Sequence, residues 1–93
     1  NLIKVGFQPN SNLQTIETFA FYKTQITSIF IPSKVSKIYE DAFYCCDFLQ
    51  IIEISEDSKL KSFSLNDFYN NADLIIMIPT SLDRLNQKLF SYQ

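Results

Sequence analysis

The chain has 93 residues, 46% of them hydrophobic, with one glycine and a formal net charge of -2. That length allows one small domain, and charges of both signs scattered along it exclude the basic footprint that a phosphate backbone requires, so nucleic acid is not expected as a partner. Histidine is absent, which removes the usual general base, the Ser/His and Cys/His nucleophile pairs and the commonest metal ligand.

In chain order, a first apolar run ending at Phe7 is followed by Leu13, Ile16 and Phe21. The same spacing, three residues and then five, returns as Val35, Ile38 and Phe43, as Leu60, Phe63 and Phe68, and as Leu82, Leu85 and Phe90. Ahead of each triplet stands another apolar residue, in turn Phe7, Ile31, Ile54 and Ile78. A period in the range of about 20–29 residues marks a repeat architecture, in which each unit buries its apolar face only against its neighbours. The expected fold is therefore an α/β solenoid of four turns, approximately 1–25, 26–48, 49–73 and 74–93, read as a piece of a longer repeat protein.

Each turn opens with an apolar run whose last residues alternate, as in Ile29-Phe30-Ile31 and Ile52-Glu53-Ile54, the signature of a half-buried strand. Stacked turn on turn, these strands predict a parallel sheet on the concave side. Pro32 and Pro79 follow the strand directly, where a missing amide costs no ladder bond. In the fourth turn, placing Pro79 in register with Pro32 predicts Ile76 and Ile78 inward and Met77 outward. Polar turn formers at 10–12 and 56–58 lengthen the connection that follows the strand in the first and third turns, which places them in a surface loop. Residues 39–42 are too short for a full helix and are expected to make one helical or 3-10 turn, the opposite side of the solenoid being built from short strands, turns and 3-10 segments.

Outward strand residues form two ladders, Lys4, Ser28, Ile51, Ile75 and Gly6, Phe30, Glu53, Met77. They would set Phe30, Ile51, Ile75 and Met77 side by side on a surface facing water, and contiguous exposed apolar area marks an interaction site. The candidate partner-binding residues are accordingly Lys4, Ser28, Phe30, Ile51, Glu53, Ile75 and Met77, with a protein or a second copy of the chain as the partner. No catalytic, cofactor-binding or metal-ligating residue is assigned. The carboxylates at Glu40-Asp41, Glu53 and Glu56-Asp57 read as solvated surface charge, and Asp67, Asn71 and Asp73 lack the glycine and terminal glutamate of a calcium loop. Cys45 and Cys46 are adjacent, which rules out a disulfide stapling distant parts of the chain. Cys46 aligns with Asn71, a position for a small polar side chain that satisfies neighbouring backbone, while Cys45 is left exposed or half-exposed. The longest apolar stretch, 74–78, is far below the roughly 18 residues of a membrane span.

Residues 26–49 carry a closer likeness. Ile26, Ile29, Ile31 and Pro32, then Val35 and Ile38, then Ala42, Phe43 and Cys46 resemble, landmark for landmark, the repeat of the BspA-like leucine-rich-repeat family. The third turn keeps the apolar landmarks but has Ser55 for the proline and Asn71 for the cysteine, and the first and fourth match in part. The resemblance implies a non-catalytic protein-binding or adhesion module without cofactors, displayed on a cell surface or secreted, whose partner is a host or matrix protein or the chain itself. An intracellular scaffold docking a regulatory protein is the alternative.

Overall fold

A computed structural model describes residues 2–8, 10–61, 68, 71 and 73–82. Six strands appear in it: β1 (Lys4–Val5), β2 (Thr15–Ile16), β3 (Ser28–Ile31), β4 (Lys37–Ile38), β5 (Ile51–Ile54) and β6 (Ile75–Met77). A 3-10 turn is described at Thr80–Leu82. The strands form two sheets, a larger one in the order β1-β3-β5-β6 and a smaller one pairing β2 with β4. Every pairing is parallel.

The alternation decides which side chains go in. Along β3 and β5 the buried residues are Ile29, Ile31, Ile52 and Ile54, and β-branched isoleucine suits the pleated, half-buried surface. Register sets Ile29 beside Ile52 and Ile31 beside Ile54, then Ile52 beside Ile76. From the smaller sheet Ile16 and Ile38, themselves in register, close the same core. Nine of the twelve triplet positions are described, all of them buried or packed against the buried cluster; Phe63, Leu85 and Phe90 lie outside the described residues. Three phenylalanines at one repeat position run through this core: Phe21 stacks on Phe43 with ring centroids 5.4 Å apart, and Phe43 meets Phe68 at 5.7 Å.

Loop length and loop chemistry agree. Where the connection after the strand is short, the amide of Val35 or Leu82 donates to the carbonyl of Pro32 or Pro79 in a tight turn. Where it is longer, a serine takes over: the amides of Leu13 and Leu60 donate to Ser11 Oγ and Ser58 Oγ at 3.1 and 3.0 Å.

The segment after Ile38 departs from the expected helical turn. Asp41 and Cys45 have φ of 63° and 61°, and Phe19 and Lys23, the same positions 22 residues earlier, have 62° and 56°. A left-handed residue breaks a helical run. The amides of Phe19, Phe21 and Lys23 instead donate across to the carbonyls of Asp41, Ala42 and Tyr44 at 2.8–3.2 Å. These bonds between neighbouring units alternate with three-residue turn bonds within each, such as those from the amides of Ala42, Tyr44 and Cys46 to the carbonyls of Tyr39, Asp41 and Phe43.

Beneath those turns runs a polar seam through the apolar core. Thr24, Cys46 and Asn71 each stand three residues after a core phenylalanine. Cys46 Sγ donates to the Phe21 carbonyl at 2.9 Å and lies 3.4 Å from Thr24 Oγ1. Asn71 Nδ2 donates to the carbonyls of Cys46 and Leu49 at 3.0 and 3.1 Å. Cys46 and Asn71 thus serve backbone carbonyls 22–25 residues back, as expected; Thr24, the member the sequence reading passed over, donates to the Phe21 carbonyl of its own unit at 2.9 Å. Cys46 is buried and Cys45 half-buried, with neither in a disulfide. A thiol reagent should therefore modify Cys45 in the native protein and reach Cys46 only in denaturant. Replacing Cys46 with valine should destabilise by about 0.5–1.5 kcal/mol, measured by chemical denaturation, because the Phe21 carbonyl loses one donor and keeps Thr24.

Candidate functional site: the open face of the larger sheet

In a parallel sheet, in-register residues on one face are about 4.8 Å apart across strands and about 6.6 Å apart two residues along a strand. Lys4 pairs with Ser28, Ser28 with Ile51 and Ile51 with Ile75; on the second ladder Phe30 pairs with Glu53 and Glu53 with Met77. All seven candidate residues from the sequence therefore lie on one face, in two adjacent rows. Gly6 lies beyond the end of β1, so the second row starts at Phe30.

The apolar members are open to solvent. Phe30, Ile51, Ile75 and Met77 are 39%, 36%, 57% and 50% exposed, whereas Ile31 and Ile52, their neighbours in the same strands, are fully buried. Glu53 stands in the middle of this group. Phe30 and Met77 flank it across the strands, Ile51 precedes it by two residues, and Ile75 lies on the diagonal. Among the described residues the Glu53 carboxylate has no hydrogen-bonding or ion-pairing partner. Lys4, at the β1 edge, is the cation of the two ladders.

Away from this sheet the described residues offer less. Phe19, Tyr22, Tyr44 and Phe48 are exposed on or beside the left-handed turns. Tyr22 stacks on Tyr44 at 5.8 Å, with Lys23 Nζ 5.3 Å from the Tyr22 ring. The sequence reading treats aromatics as core by default and missed these four; the signal against that default is that Phe19 and Phe48 fall outside the repeated triplet. An open depression of about 590 Å³ is lined by Gly6, Phe7, Gln8 and Ser11, without a charged group. Among the described residues no cluster of three or more His, Cys, Asp or Glu could hold a metal ion. Asp67, one of the rejected calcium-loop residues, lies outside them. No helix among the described residues is long and apolar enough to cross a membrane.

A family model, the BspA type leucine-rich repeat region, matches residues 1–93 in six copies. No curated protein and no solved structure gives a match to the chain.

Proposed function

The chain belongs to the BspA-type leucine-rich-repeat family, and from that premise we propose that it is a non-catalytic protein-binding module of the adhesion type, docking its partner on the open face of the larger sheet. The observation that carries this reading is the contiguous exposed group of Phe30, Ile51, Ile75 and Met77 on in-register strands. Apolar surface gathered in this way is stabilised when a partner removes it from water. A fold alone hosts many activities, so the argument rests on this face and not on the repeat.

We further propose that the units coil as a solenoid of four turns, with the open face concave. Support comes from the four parallel strands of the larger sheet, which follow one another in chain order at the repeat spacing. A rigid sheet suits such use because it presents its side chains with little ordering cost on binding. The family's usual setting supports a cell surface or secreted location with a host or matrix protein as partner. The missing imidazole supports the non-catalytic part of the reading.

The test is surface plasmon resonance with the immobilised chain and a panel of purified extracellular-matrix proteins. The double variant Phe30→Asp, Met77→Asp should still fold cooperatively, melting below the wild type because three carboxylates then share one cross-strand row with Glu53, and lose binding at least thirtyfold, since central apolar anchors cost about 2 kcal/mol or more each when removed. Binding that survives both substitutions would move the site elsewhere. Loss of the fold would mean that these side chains belong to the core.

A further inference from the structure

We infer that the partner of this face is a protein segment that presents an arginine or lysine among apolar side chains, the cation seated on Glu53. This rests on the docking reading above and adds the chemistry of the occupant. Glu53 is an exposed carboxylate with no partner among the described residues, and four exposed apolar groups surround it. When a partner covers those groups, Glu53 is covered with them. A carboxylate taken out of water without a counter-charge opposes binding, whereas one met by a cation gains a charge-assisted hydrogen bond in a drier setting. An arginine fits both neighbours at once. Its guanidinium can reach the Glu53 carboxylate while lying against the ring of Phe30, the cross-strand neighbour about 4.8 Å away.

The same charge disfavours a second copy of the chain. Phe30 lies on β3, Ile51 on β5, and Ile75 and Met77 on β6, so the apolar group centres on β5. In a symmetric dimer that covers all four, the two-fold axis passes near β5 and brings the two Glu53 carboxylates together. Moving the axis to β3 would let Lys4 of each copy reach Glu53 of the other, but it would leave Ile75 and Met77, the most exposed of the four, uncovered.

The experiment uses a random twelve-residue peptide display library panned on the immobilised chain, followed by anisotropy titrations of a selected peptide. Selected peptides should be enriched in arginine or lysine flanked by apolar residues. Glu53→Gln should weaken the peptide at least tenfold with an unchanged melting temperature, and a library panned on Glu53→Lys should yield acidic peptides instead. If Phe30→Asp, Met77→Asp abolishes binding while Glu53→Gln leaves it unchanged, the charge inference fails and the docking reading stands. If neither variant weakens binding, both fail. Failure to select any peptide, or a dimer in sedimentation equilibrium that Met77→Asp dissociates, would also overturn the inference.

Discussion

Replacing Phe43 with alanine is expected to cost about 3–5 kcal/mol in chemical denaturation, the largest loss for any single truncation in this chain. Phe43 is 1% exposed and is the middle ring of the run Phe21, Phe43, Phe68, so its removal takes away a partner from both neighbours at once. A domain of this size has about 5–15 kcal/mol of stability in all. The variant should thus unfold at a much lower denaturant midpoint, and in a repeat fold the loss spreads from the gap to the units on either side. Phe43→Leu, which keeps much of the volume, should recover a large part of the loss. A loss below about 1 kcal/mol for Phe43→Ala would mean that the rings do not form the continuous core described.

A charge at Ile31 is expected to prevent folding, whereas the same charge one residue earlier is tolerated. Ile31 is completely buried and packs in register against Ile54. An aspartate there would bury a carboxylate with no polar partner, a cost of at least 4–5 kcal/mol, close to the total stability of a small domain. Circular dichroism of Ile31→Asp should show no cooperative melt. Phe30→Asp puts the carboxylate on the open face and should cost about 1 kcal/mol or less. Because neighbouring strand residues point to opposite faces, a shift of register by one residue would exchange the two outcomes.

These two expectations also mark what was legible in the sequence. The inward set could be read because isoleucine alternates with other residues between fixed landmarks, and the proline at 79 placed Ile76 inward and Met77 outward as the strand pairing does. The whole outward face followed from that alternation, including the neighbours of Glu53. The segment after Ile38 was not legible in the same way. Its geometry depends on left-handed residues at Phe19, Lys23, Asp41 and Cys45, and no glycine marks those places, since the one glycine is Gly6. Once the backbone leaves a regular period, apolar composition no longer tells which way a side chain points. Phe19, Tyr22, Tyr44 and Phe48 are exposed for that reason. Thr24 was readable in principle, because it stands three residues after Phe21 as Cys46 does after Phe43. A search for residue size and polarity, rather than for cysteine or asparagine, would have found it.

The repeated apolar positions hold the scaffold, and the residues between them on the strands stand open to solvent, where the proposed partner would dock. Met77, the single methionine of the chain, gives a direct view of that division. In a methyl-labelled sample its ε-methyl resonance is one resolved signal on the open face, beside the methyls of Ile51 and Ile75, while Ile29 and Ile52 report on the core. On titration with a matrix protein or selected peptide that binds, Met77, Ile51 and Ile75 should shift to saturation together and the core signals should stay nearly in place. A Met77 signal that does not move at saturation would contradict the account.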